Sequence, residues 1–190
     1  MNLPFISDKT YTNIDFTKTG FPKAEYDNCK FVQCNFADAY LSNIAFLECE
    51  FTGCNLSNVK AKEAAFKNVT FNKCKMIGFP FFECNPFFLE LAFNDCNLSL
   101  ASFYLLNLKQ TAFNTCNLQE ADFTQTNLTE ATFHASDLSK AIFEQSNLQK
   151  ADFTMATNYT IHPEKNRIKG AMFNKDGLFG LLSAYDIMIQ

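Results

Sequence analysis

Much that would point to chemistry or to a membrane is missing from these 190 residues. No run of about eighteen apolar residues occurs, so no spanning helix and no membrane partner are expected. The opening MNLPFISDKT has no basic segment followed by a long apolar stretch, which argues against a secretory signal and predicts a protein of the cytoplasm. Neither a GxGxxG nor a GxxxxGK(S/T) frame is present, so nucleotide binding has no support. The two histidines, His134 and His162, have no Ser, Cys or Asp at a recognisable catalytic spacing. No CxxC pair occurs and no histidine falls in register with the cysteines, which leaves a zinc site without ligands. Neither catalysis, metal nor cofactor is therefore expected. Lys and Arg number 16 against 20 Asp and Glu, a net charge of −4 that argues against direct nucleic-acid binding.

What the chain does have is a count of five. An apolar residue falls at every fifth position from Phe16 through Phe21, Tyr26, Phe31, Phe36, Leu41, Phe46 and Phe51 to Phe81. The count restarts at Phe88 and continues through Phe93, Leu98, Phe103 and Leu108 to Phe153. The residue two before each centre is usually small, and the one before it is often Asn or Asp. A period of five fits neither a helix nor a strand. Sustained over most of a chain, a short period means a solenoid whose units bury their apolar faces by stacking on one another.

With these frames, as in CNL at 116–118 and ADF at 121–123, the sequence resembles the pentapeptide-repeat family. The resemblance implies a right-handed, four-sided β-helix with twenty residues to a coil. The sequence tests that modulus independently, because positions twenty apart must then share a buried column. Phe93, Phe113, Phe133 and Phe153 form one column; Leu98, Leu118 and Leu138 the next; Phe103, Phe123 and Phe143 the third; Leu108, Leu128 and Leu148 the fourth. Phe faces Phe and Leu faces Leu. The seven-residue step from Phe81 to Phe88 puts the two blocks two residues out of phase. An outward bulge at Cys84, Asn85 and Pro86 would let the first column run Phe31, Phe51, Phe71, Phe93 and onward. The expectation is an all-β solenoid of about seven to eight coils, roughly 35 Å long. It divides into a lead-in cap over 1–15, the β-helix over 16–173 with a loop at 156–170, and a C-terminal helix and tail over 174–190.

Seven of the eight cysteines sit two residues before a repeat centre, and Cys84 two before the irregular Pro86, in the slot that elsewhere holds Ala, Ser or Thr. They are read as small packing residues rather than disulfides or ligands. After the repeat, KDGLFGLLSAYD predicts a helix with Asp176 as its N-cap and a strand-like tail at 187–189. Leu178, Phe179, Leu181, Leu182, Tyr185 and Ile187 are expected either to close the last coil as a lid or to form a twofold interface. The family resemblance implies the second, a homodimer through this helix.

Charge is uneven as well. Residues 110–155 carry Glu120, Asp122, Glu130, Asp137, Glu144 and Asp152 against Lys140 and Lys150. The quinolone-resistance members of the family are rods of duplex size with acidic surfaces that bind DNA gyrase or topoisomerase IV. The resemblance thus implies a DNA-mimicking partner of those enzymes, with the six carboxylates as contacts. A structural or interaction scaffold for another protein partner is the competing expectation, because fold does not fix function.

Overall fold

Each five-residue unit ends in a corner. The residue two after most buried centres takes a left-handed backbone, as at Asp38 (φ 57°), Asn43 (φ 60°), Glu48 (φ 50°) and Glu120 (φ 57°). Such φ values turn the chain sharply within one residue, and polar side chains tolerate them best. The Asn or Asp before each centre closes the same corner. Asn55 Oδ1 accepts from the Ser57 amide at 3.2 Å, Asn117 Oδ1 from Gln119 at 3.0 Å and Asp152 Oδ1 from Thr154 at 2.8 Å. These side-chain turns are the physical reason for the Asn/Asp periodicity.

Four corners close one coil. The computed structural model, which describes residues 3–185, 187 and 188, is a right-handed, four-sided parallel β-solenoid of about eight turns with a short C-terminal helix. Strands and single bridges pair in parallel twenty residues apart, as in Phe31↔Phe51, Asn35↔Asn55 and Asp122↔Ile142. The core is a filled tube. Its first column runs unbroken from Tyr11 through Phe31, Phe51, Phe71, Phe93, Phe113, Phe133 and Phe153 to Phe173, with successive ring centroids between 4.7 and 5.5 Å apart. Phe81, Phe103, Phe123 and Phe143 stack as a second column. The two columns meet edge-on across the tube, Phe113 lying 85° to Phe123 at 5.8 Å. Each ring thus combines offset stacking along the axis with an edge contact across it, the two arrangements an aromatic quadrupole favours.

The eight cysteines are free and buried. Volume is not their whole role. Cys54 Sγ donates to the Phe31 carbonyl at 3.2 Å, Cys74 to Phe51 at 3.3 Å and Cys96 to Phe71 at 3.4 Å. Where the slot holds a hydroxyl the bond recurs: Thr126 to Phe103 at 2.8 Å, Ser136 to Phe113 at 3.0 Å and Ser146 to Phe123 at 2.7 Å. At these positions the slot combines small volume with a donor; at Ala24, Ala64, Ala101 and Ala121 it is small alone. Burial pushes the Cys49 thiol up to about 12 and raises the Cys84 thiol as well, so neither is a thiolate at neutral pH.

Three expectations change. The parallel ladder begins at Phe5, since Phe5–Ser7 pairs with Glu25–Asp27 and Thr10–Thr12 with Lys30–Val32; the lead-in expected to be irregular is already strand-paired. The segment at 156–170, expected as a loop that replaces most of one coil while keeping its phase, does keep the phase but is itself bridged into the coil through Asp137↔Thr157 and Asn147↔Arg167 and buries Tyr159 and Ile161. At the phase break, Phe88 is half-exposed rather than a buried centre, and Leu89 takes the position opposite Phe66. The offset is twenty-three residues there and twenty-two from Val69↔Leu91 onward. Two 3₁₀ turns, Phe81–Glu83 and Pro86–Phe88, take up the extra chain, and the second, capped by Asn85, throws Phe87 outward with 89% of its surface exposed.

The C-terminal helix runs through Asp176–Leu178, Phe179–Leu182 and Ser183–Tyr185. Its cap is Asn174, whose Oδ1 accepts from the Gly177 amide; Asp176 lies inside the first turn. No strand forms at Ile187 and Met188, and Ile189 lies outside the described residues.

Candidate functional site

The six carboxylates of 110–155 all reach the outside, but the repeat spreads them around the rod. Asp122 lies in the column Ser102–Asp122–Ile142, Asp137 in Asn117–Asp137–Thr157 and Asp152 in Thr132–Asp152, three different sides. Each also has local work. Asp122 Oδ1 accepts from the Thr124 amide at 2.9 Å, Asp137 Oδ1 from Ser139 at 3.0 Å and Asp152 from Thr154. Burial pushes the Asp137 carboxyl up, yet the hydrogen bonds from Ser139 and Asn158 outweigh it and hold the group below its ordinary range.

Glu120 and Glu130 occupy left-handed corners, Glu144 lies one residue before the corner at Gln145, and all three pair with lysines on the next coil. Glu120 lies 3.9 Å from Lys140, Glu130 3.3 Å from Lys150 and Glu144 3.0 Å from Lys165. Hydrogen bonds from Lys150 and Gln110 lower the Glu130 carboxyl. The single acidic face expected from composition is thus three capped aspartates and three ion-paired glutamates on several sides. Residues five apart fall on successive sides, so a stretch of sequence maps to a ring and not to a face.

The histidines stay apart from these groups. His134 is exposed, and His162 caps the turn Pro163–Lys165 by accepting from the Glu164 amide at 3.3 Å. Among the described residues no cluster of three His, Cys, Asp or Glu is placed to hold a metal ion.

The terminal helix sits on the last coil through its glycines. A Cβ on Gly180 would lie 1.9 Å from the Tyr159 carbonyl oxygen, and one on Gly177 would run into the Tyr159 hydroxyl. The Ile161 amide donates to the Gly180 carbonyl at 3.0 Å, and Leu181 packs against the core. Leu178, Phe179, Tyr185 and Ile187 face outward, with Leu182 part-buried beside them.

Models of known families match most of the repeat. The pentapeptide repeat region model covers residues 44–123, and the model of eight pentapeptide repeats covers 116–154. The chain belongs to the pentapeptide-repeat family. Solved structures of the same fold include two trypsin-treated variants of QnrB1, described as a plasmid-mediated fluoroquinolone resistance protein. One is 15% identical with a TM-score of 0.64, covering 98% of this chain and 91% of that one. The other is 17% identical with a TM-score of 0.56, covering 99% and 98%. HetL, a pentapeptide-repeat protein involved in heterocyst differentiation regulation from the cyanobacterium Nostoc sp. strain PCC 7120, is 15% identical with a TM-score of 0.59 over 93% and 89%. At these identities the likeness is one of fold. No curated protein matches the sequence.

Against that family pattern, one surface of this pentapeptide-repeat protein escapes a count of the repeat centres. Phe82, Phe87, Phe88, Leu100, Tyr104 and Leu105 are all exposed, and all lie on the two coils that meet at the phase break. Counting centres finds buried residues only. The clue was available in the outward positions after Phe81 and Phe103, where Phe82 and Tyr104 replace the polar residues found in other coils.

Proposed function

We propose that this protein is a non-catalytic interaction rod: a rigid, filled β-helix whose outer sides bind a protein partner. The observation that carries this reading is the location of chemical variety. Inside, the columns repeat Phe and Leu and the slots repeat Cys, Ala, Ser and Thr; outside, every coil differs. An enzyme's convergent polar groups in a cleft have no counterpart among the described carboxylates and histidines, which serve corners, caps and ion pairs.

The narrower reading is a DNA-mimicking partner of DNA gyrase or topoisomerase IV. It is supported by the outward setting of Glu120, Asp122, Glu130, Asp137, Glu144 and Asp152 and by the fold shared with QnrB1. The lysines beside the three glutamates weigh against a purely duplex-like field. A supercoiling assay decides it: inhibition of gyrase, or its rescue from a quinolone, that fades with added salt supports mimicry. No effect at large molar excess leaves the broader binding rod. For the terminal helix, Gly177 and Gly180 against Tyr159 and the inward Leu181 support the lid over the homodimer contact. A Leu178→Asp, Phe179→Asp variant of unchanged mass in light scattering is the result expected of a lid; loss of a dimer would restore the helix as an interface.

A further inference from the structure

Pro80, Ser102, Asp122 and Ile142 form one column of the rod's third side, with Tyr40 and Lys60 below them. Across the phase break this side is apolar. Phe82 and Tyr104 follow the buried Phe81 and Phe103 on adjacent coils, their register fixed by the Phe82 amide donating to the Ser102 carbonyl at 3.2 Å. Leu100 and Leu105 flank them, and Phe87 and Phe88 project at the corner. Six large exposed side chains on two coils exceed the scattered apolar surface normal for a monomer.

The rim of the patch is charged, and the sign differs at its two ends. One coil below lie Lys60 and Lys62, both exposed and, among the described residues, outside any ion pair. One coil above lies Asp122, outside any ion pair among the described residues, with Glu120 near it but paired to Lys140 of the following coil. The order along the rod is therefore cationic, apolar, apolar, anionic. That order complements itself when reversed.

We propose that this side is a twofold interface with a second copy of the chain, the two rods lying side by side and antiparallel. The dyad runs along the strand direction between the coils of Pro80 and Ser102. It sets Lys60 opposite Asp122 of the second copy, and Phe82 opposite Tyr104 of the second copy. Leu100 then lies over Gly78 of the second copy, a corner that has φ 64° and no side chain to obstruct the leucine. One patch is used on both molecules, as an isologous contact requires, with an aromatic centre and charged rim. The C-terminal helix takes no part.

Zero-length carbodiimide cross-linking followed by mass spectrometry tests the geometry. Lys60 and Asp122 of one chain are three coil steps apart, about 14 Å, so a Lys60–Asp122 amide can form only between two chains. That cross-link is the expected product, in a species of dimer mass whose scattering envelope is about one rod long and two rods wide. Phe82→Glu with Leu100→Glu should give a monomer with unchanged β-rich circular dichroism. Asp122→Asn, which keeps the turn acceptor that Asn supplies elsewhere, should raise the dimer dissociation constant about tenfold, the scale of the two symmetry-related rim charge pairs it removes. A monomer at about 100 μM, a dimer two rods long, or a dimer broken by Leu178→Asp, Phe179→Asp and not by Phe82→Glu, Leu100→Glu would each overturn the proposal. Dimer dissociation should also fall into line with salt, tightening at low ionic strength; a dimer indifferent to both salt and Asp122→Asn would remove its charge-based register.

Discussion

The two halves of the rod fill the same tube in different ways. Beyond the break, Phe93–Phe103–Phe113–Phe123 alternate with leucines so regularly that stacked rings deviate by no more than 10° from Phe93 to Phe153. Before it, two columns stay aromatic and two are mixed, one running Phe16, Phe36, Leu56, Met76 and the other Phe21, Leu41, Ala61, Phe81. Phe16, Phe21, Tyr26 and Phe31 crowd neighbouring sides with edge contacts, Ala61 leaves a gap in the third column, and Phe79 occupies a slot that elsewhere holds Ala. Phe79 stacks on Phe81 at 4.1 Å and reaches to within 6.0 Å of Phe66. The comparison teaches that the fold requires constant volume per coil, supplied either by a repeated pair or by compensation among neighbours.

The sharpest way to break that comparison is at the rings. Phe113→Ala should cost about 3–5 kcal/mol in chemical denaturation, because identical coils above and below leave little freedom to collapse on the cavity. Phe51→Ala, in the mixed half, should cost less; equal losses would mean that the irregular half is packed as tightly as the regular one. At the C-terminal end, Gly180→Ala forces a methyl into the Tyr159 backbone and should destabilise by about 1–3 kcal/mol, read as faster hydrogen exchange at the Ile161 amide. Unaltered exchange would mean that the helix does not rest on that contact.

A smaller effect separates the slots. Ser136→Ala removes a buried donor from the Phe113 carbonyl and should cost about 1 kcal/mol, whereas Cys74→Ser keeps the donor and should change stability less than Cys74→Ala. The smallest concerns pH. Asp137 has a lowered folded pKa, so its stabilisation is present above the unfolded value of about 3.9 and is lost as pH falls through the folded value. Asp137→Asn should therefore lie a few tenths of a kcal/mol below the wild type at neutral pH by the scale of an exposed hydrogen-bonded charge. The gap should close in thermal melts as the pH drops below about 4; a gap that persists at low pH would show that charge is not its source.

The buried architecture was legible because one residue type in a column is a statement about distance. Phe93, Phe113 and Phe133 lie twenty apart in sequence and about one strand spacing apart in the rod. Surface geometry was less legible for the complementary reason. Glu120, Asp122 and Glu130 are neighbours in sequence, yet the left-handed corner at Glu120 and those after it turn them to different sides. Phe88 kept the count of five but lost its place, since the local backbone at Pro86 decides which of Phe88 and Leu89 points inward. The strands at Phe5 and Thr10 carried too few frames to show a period, although Tyr11 stands twenty before Phe31 and stacks on it at 5.0 Å.

The aromatic column from Tyr11 to Phe173 also acts as a ruler. Its graduations are rings, so the separation between any two points on the surface is set by how many coils lie between them. Inserting or removing one full coil would move everything beyond it by a single graduation and leave its orientation nearly unchanged. The extra residues at Pro86–Phe88 add chain without adding a graduation, since Phe71 and Phe93 remain stacked across them at 5.5 Å. Length of sequence and length of rod are uncoupled at that corner, and a surface feature there is free to grow while the scale beneath it stays fixed.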